Sequence, residues 1–228
     1  MSLYTRTRRT LKNLQSLGQA WFLGSEWRSS QRQRIFSKII ECNSWGSAES
    51  LSGPGSTLEY TENIRREIPI ILRDLKIKSM LDAPCGDYNW ARHLQRDGIT
   101  YIGADIVPGL IKANAKYSDS TTSFRVLDII EEPLVEVDLW LCRDCLFHLS
   151  NADIHKILAN FRKSRIKYLL TTSHWQATAN ADIKVGDFRL LNLELPPFSF
   201  PKPRAAIADF IDGYPPRILG LWHRDVIV

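Results

Sequence analysis

Ser79-Met80-Leu81-Asp82-Ala83-Pro84-Cys85-Gly86-Asp87 opens a stretch in which short apolar runs alternate with amphipathic segments as far as Thr172. Ser79–Asp82 reads as a buried strand ending at the turn Ala83-Pro84-Cys85-Gly86, and 87–96 reads as helical. Thr100–Asp105 is a second strand. A helix then runs from Pro108 to about Tyr117, because proline suits a first helical turn. Phe124–Asp128 and Val137–Cys142 give a third and a fourth strand, a helix spans 151–163, and Tyr168–Thr172 is the fifth strand. This alternation predicts a mostly parallel sheet with helices on both faces. Such sheets bind ligands beyond the carboxyl ends of their strands, near the switch in strand order. Asp82, Asp105 and Asp128 close three successive strands at that edge.

Working outward, residues 217–228 read as a last strand that completes the sheet. Before the core, 57–76 has a helical pattern with Ser56 or Thr57 as N-cap, and Pro69 is expected to kink or split it. A Gly/Ser/Pro-rich stretch, Gly46–Ser56, precedes that helix. Residues 1–45 form a basic arm, and 46–228 form the main domain, with cap elements at 46–77 and 176–216.

Charge follows the same division. Of 30 Lys+Arg and 25 Asp+Glu in 228 residues, residues 1–40 hold eight basic side chains and one acid, so the body is slightly negative. In the arm, Leu11, Leu14, Leu17, Trp21 and Phe22 recur at helical spacing beside Arg8, Arg9 and Lys12. That pattern suits either a helix packed on the domain or a peripheral helix on an anionic membrane surface, through residues 1–34. At 44% hydrophobic and 24% charged the chain is a folded globular protein. It has no apolar run near the ~18–20 residues of a membrane span. Four unevenly spaced cysteines make no disulfide framework, which points to a reducing, cytoplasmic setting.

The loop after the first strand discriminates among nucleotide-like ligands. A dinucleotide site wants Gly-x-Gly-x-x-Gly there, so that a helix N-terminus can approach a pyrophosphate. Asp82-Ala83-Pro84-Cys85-Gly86-Asp87-Tyr88 offers one glycine and two carboxylates, which repel phosphate. A phosphate-free, positively charged ligand fits better, with a ribose diol donating to Asp105. S-adenosylmethionine (SAM) meets that description.

Met80–Asp87, Tyr101–Ile106, Arg125–Ile129 and Asp138–Leu149 resemble, in order, successive motifs of class I SAM-dependent methyltransferases. The resemblance implies a Rossmann-like, mostly parallel seven-stranded sheet with helices on both faces, preceded by a helical N-terminal extension. Pro84 and Tyr88 stand where the commonest form of the first motif has glycines. With Asn43–Gly46, Ser52–Ser56, Asp82–Trp90 and Gly186–Leu193, the chain resembles a small bacterial methyltransferase subfamily associated with glycan and glycolipid assembly. The resemblance implies that Asp82, Cys85 and Gly86 line the methionine part of SAM. It places Asp105 on the ribose hydroxyls, Ile106 on the adenine, Asp128 on the adenine amino group with Ile129 beside it, and Arg143 near the methionine carboxylate.

Methyl transfer to a hydroxyl needs alignment and a base. His148, after the fourth strand, is the first candidate, with Asp144 four residues earlier to orient it; His174 after the fifth strand is the reserve. Trp90, Trp175, Arg189, Asn192 and Phe198 are candidates for holding a sugar acceptor, the last three from a proline-rich late segment. Cys142-Arg143-Asp144-Cys145 lacks the further ligands of a zinc site, so no metal is expected.

The reading is therefore O-methylation of a glycan or glycolipid. RNA or protein methylation is the rival activity, and a non-catalytic SAM-fold docking module is the rival class. No Asn-Pro-Pro-Tyr follows the fourth strand and the body is net negative, so nucleic acid is disfavoured as a partner.

Overall fold

The structure, a computed structural model, describes residues 29–227. The arm pattern from Leu11 to Phe22 lies outside the described residues. The first helix, α1, spans 29–41, and α2 spans Glu62–Asp74. Then follow β1 (Ser79–Asp82), β2 (Thr100–Asp105), α3 (Pro108–Asn114), β3 (Thr122–Val126), β4 (Leu139–Cys142), α4 (Asn151–Lys163), β5 (Tyr168–Ser173), β6 (Ala205–Ala208) and β7 (Ile218–His223). The seven strands form one sheet in the order β3-β2-β1-β4-β5-β7-β6. β7 runs antiparallel to β5 and to β6, and the other neighbours are parallel. Strand order reverses at β1, between β2 and β4, which is where such a sheet opens a crevice for ligands.

The central strands β1, β4, β5 and β7 are buried on both faces, so neighbouring residues face different layers. Met80, Leu139 and Leu141 pack with Ile64, Ile68 and Leu72, which recur every four residues along α2. Leu81, Trp140 and Cys142 pack with Ile154, Ile157, Leu158 and Phe161 of α4. Burying a side chain of this kind stabilises by about 1.5–3 kcal/mol, so the two layers hold the sheet edge rigid. α4 begins where Ser150 Oγ accepts from Asp153 N. Among the described residues no helix is long and apolar enough to cross a membrane.

Three local expectations need correction. Residues 87–96 do not form an α-helix; they hold only a short 3-10 turn, Ala91–His93. Tyr88 has φ +59°, and the polar groups that a helix would leave free are tied to the preceding Ser-rich stretch. Asp87 accepts from Ser50 Oγ, Leu51 N and Ser52 Oγ, while Asn89 Nδ2 donates to Glu49 Oε1 and Ser56 O. The 46–56 stretch is thus stitched to the loop after β1. Helix α2 starts at Glu62 rather than near 57, because Thr57 and Thr61 side chains bond the backbone into a turn. Pro69 lies inside α2 without ending it. It removes one main-chain donor, and the apolar face on either side, Ile64, Ile68 and Leu72, stays packed. β6, the outer strand of the antiparallel pair, was not anticipated.

Candidate active site

A cavity of about 970 Å³, its open mouth included, lies over the carboxyl ends of β1, β2 and β4. Its lining includes Asp82, Cys85, Gly86, Asp105, Ile106, Asp128 and Ile129 from the strand ends, and Arg143, Asp144 and His148 from the segment after β4. Trp45, Ser52, Ser56 and Trp90 line it too, as do Arg32, Phe36 and Ile40 of α1.

The three strand-end acids are held in three different ways. Asp82 is buried and accepts a 2.5 Å hydrogen bond from the Tyr101 hydroxyl; burial pushes its carboxyl up to about 7. Asp105 accepts from Gly86 N at 3.1 Å and from Val107 N at 2.9 Å, and burial raises it to about 6 against those bonds. Asp128 lies two residues past β3, its Oδ1 accepting from Ile130 N at 2.9 Å and its Oδ2 from Arg32 Nη2 at 2.7 Å. Gly86 has φ +55°, and a Cβ there would lie 2.0 Å from Ser52 Oγ, so only glycine lets the Ser-rich stretch close on this loop.

Beyond β4, Asp144 and Arg143 belong to a buried ionic cluster. Arg143 donates from Nε and Nη2 to both oxygens of Asp209 (2.9 and 2.8 Å) and from Nη2 to Gly55 O. Its Nη1 lies 3.3 Å from Asp144, which also receives Arg217 Nη2 at 2.7 Å. Burial works to raise the Asp144 carboxyl, but Arg143 and Arg217 outweigh it and hold it below the usual range. Arg143 therefore lines the cavity with its nitrogens already engaged by protein. That differs from the expectation that it reaches for the methionine carboxylate.

His148 ends a 3-10 turn, Leu146–His148, and its Nδ1 lies 2.8 Å from the main-chain oxygen of Asp187. A carbonyl only accepts, so Nδ1 carries the proton and Nε2 keeps the lone pair. Burial lowers the His148 pKa, which leaves the ring neutral. Asp187 O rather than Asp144 orients the ring; Asp144 accepts instead from Thr172 Oγ1 and the two arginines. The Trp45 ring stands 5.5 Å from the His148 ring.

The other residues singled out from sequence are elsewhere. His174 is 1% exposed and outside the cavity lining; its Nδ1 accepts from Leu191 N, and burial pushes its pKa down to about 4. Arg189 donates to Asn151 Oδ1, Ala181 O and Leu149 O as a buried clamp on the late segment. Asn192 Nδ2 donates to Ala177 O at 3.1 Å, Phe198 sits in the apolar core beside His155, and Trp175 meets Phe210 at a tilt of 57°. None of these lines the cavity, whereas Trp90 does and lies 5.4 Å from the Arg143 guanidinium carbon. Among the described residues no group of three or more His, Cys, Asp or Glu side chains could hold a metal ion.

Sequence reasoning missed Arg32, Phe36, Ile40, Trp45, Ser52 and Ser56 as site residues. A signal was present: Ile35, Phe36, Ile39 and Ile40 repeat at helical spacing, marking an apolar face that must be covered. Arg32 lies four residues before Phe36 on that face.

The donor set fits SAM. Two buried carboxylates with raised pKa values, Asp82 and Asp105, call for a cation or a hydroxyl donor, and no basic pair cradles a phosphate between them. The apolar side chains of Ile106, Leu110, Leu127 and Ile129 provide the bed for a flat base.

Comparison with known proteins agrees with this. Residues 81–164 match the methyltransferase domain family. PH0226 protein from Pyrococcus horikoshii OT3 shares the fold at TM-score 0.52 and 17% identity, over 75% of this chain and 93% of that one. The methyltransferase domain of bacterial CtHen1 does so at TM-score 0.51 and 12% identity, over 72% of this chain and 98% of that one. Human N-acetylserotonin methyltransferase, solved in complex with SAM, aligns at TM-score 0.44 and 14% identity over 64% of this chain; the chain spans 39% of its length. No curated protein matches the chain. The match over 81–164, the strand order and the carboxylates at the switch point agree on a methyltransferase domain over those residues, with SAM as its cofactor.

Proposed function

We propose that the site methylates a hydroxyl of a glycan or glycolipid, with His148 as general base. The observation that carries the reading is the 2.8 Å contact between His148 Nδ1 and Asp187 O, on a histidine lining the same cavity as the cofactor carboxylates. It fixes the tautomer and leaves Nε2 able to take a proton. When bound, SAM supplies a methyl group on a sulfonium, open to in-line displacement. His148 Nε2 accepts the hydroxyl proton as the acceptor oxygen forms its new bond. The Asp144 carboxylate nearby favours the imidazolium that results.

The glycan assignment draws support from Trp45 and Trp90, which line the cavity together with Ser52 and Ser56. Such rings pack against the apolar faces of sugars while hydroxyls bond to the serines. We further propose a localising role for the basic pattern before residue 29. Arg32 cannot share it, being 4% exposed and ion-paired.

The test is an incubation with deuteriomethyl-labelled SAM, offering soluble sugars, nucleotide sugars and glycolipid extracts beside amine-bearing acceptors. Labelled O-methyl sugar is expected. Label found only on amino nitrogen would overturn the hydroxyl assignment.

A further inference from the structure

Arg32, Phe36 and Ile40 follow one another at four-residue intervals along α1, so they share a face, and all three line the cavity. Arg32 reaches the end of β3 from 96 residues away in sequence. Its Nη2 donates to Asp128 Oδ2 at 2.7 Å and lies 3.3 Å from Glu131 Oε1, and its Nη1 is 3.7 Å from Asp153 Oδ1. The guanidinium is almost fully buried, as is Asp128, while Glu131 and Asp153 are more open and Glu131 also receives Lys156 Nζ at 3.1 Å. Asp128 is thus the principal partner.

The Asp128 carboxylate is pinned at both oxygens, Oδ1 by Ile130 N–H and Oδ2 by Arg32. A carboxylate oxygen has two lone-pair directions, so each oxygen keeps one acceptor position. Without the guanidinium, this carboxylate would be buried beside two further acids, with only the half-exposed Lys156 as counter-charge. It would then turn toward solvent, and its open acceptor positions would leave the direction in which Arg32 holds them.

We infer that Arg32 is a positioning residue for the adenine of the cofactor, fixing the plane of the Asp128 carboxylate that accepts from the adenine amino group. The inference rests on the assignment of the cavity to SAM. It gives α1, which lies outside the 81–164 match, a part in reading the base.

The experiment compares S-adenosylhomocysteine with S-inosylhomocysteine, in which a carbonyl oxygen replaces the amino group. The wild type should prefer the adenine ligand by about 30-fold, since a charged hydrogen bond is exchanged for two facing acceptors. In Arg32→Met the preference should fall below about threefold, as the carboxylate loses its fixed orientation. If Arg32 only tethers α1, both ligands weaken by the same factor and the preference stays, which overturns the inference. Arg32→Lys guards against a folding defect: it keeps a tethering charge without the guanidinium fork, and its preference should fall at least about threefold. An unchanged preference in a folded Lys variant likewise overturns it. Failure of the folded wild type to bind S-adenosylhomocysteine would overturn the cofactor assignment itself, and the inference with it.

Discussion

His148 Nδ1 lies 2.8 Å from the main-chain oxygen of Asp187, so the late segment sets the tautomer of a histidine that the segment after β4 delivers to the cavity. The base is thereby specified by backbone placement rather than by an acid partner. This matters for pH, because burial, the largest influence, lowers the His148 pKa from its ordinary 6.5.

His148→Ala should lower kcat by about 10²–10⁴, the range of a lost general base, with S-adenosylhomocysteine affinity nearly unchanged. In the wild type the acid limb of kcat/KM should fall below pH 6.5, since the neutral ring persists to lower pH. Steady-state rates across pH with the labelled-methyl assay check both. Full turnover in the variant would remove His148 from the mechanism.

Asp82 should release a proton when the cofactor binds. Burial holds its carboxyl near 7, and an ammonium placed beside it would favour the ionised form. Binding should therefore tighten as pH rises from about 6 to 8. Calorimetry of S-adenosylhomocysteine in two buffers of different ionisation enthalpy reads the proton directly. Asp82→Asn should abolish the release, and a wild type releasing none would contradict the pairing.

His174 predicts a stability effect of known sign. Its folded pKa, about 4, lies below the ordinary 6.5, with burial the first cause and Arg217 the second. The unfolded chain then binds more protons in that window, so His174 destabilises the fold progressively as pH drops from 6.5 to 4. The full effect is roughly 3 kcal/mol. Asp82 and Asp105, with raised values, act with the opposite sign, so the contribution is isolated by difference. Urea unfolding should show His174→Gln gaining on the wild type as pH falls; parallel curves would contradict the assignment.

The cluster of Arg143, Asp144, Asp209 and Arg217 should behave as a buried unit. Asp209→Asn leaves Arg143 without its two-point partner and should cost about 3–5 kcal/mol. Glu67→Gln, at the exposed pair with Arg66, should cost at most about 1 kcal/mol. Equal, small effects in urea unfolding would show that the cluster is not desolvated.

Much of this architecture could be read from sequence, for physical reasons that also explain what could not. Strands such as Thr100–Asp105 and helices such as Asn151–Lys163 announce themselves because local periodicity and burial agree there. Asp82, Asp105 and Asp128 were legible as site residues because strand ends of a parallel sheet converge on one edge. By contrast, 87–96 has helical composition, and bonds of Asp87 with the Ser50 and Ser52 hydroxyls and of Asn89 with the Ser56 main-chain oxygen, at long sequence separation, override it. Arg189, Asn192 and Phe198 look like acceptor-binding residues by type, yet they satisfy main-chain carbonyls and the core. Arg32 was hidden in a run of basic residues, since no local rule tells a solvated arginine from one whose partner is 96 residues away.

The central claim is that the switch-point cavity holds SAM, and calorimetric titration of S-adenosylhomocysteine into the wild type and Asp105→Ala tests it most directly. The account predicts a dissociation constant of about micromolar for the wild type and weakening of about tenfold or more in the variant, from the lost ribose contact. A folded wild type that takes up no S-adenosylhomocysteine, or a variant that binds it equally well, would contradict the claim.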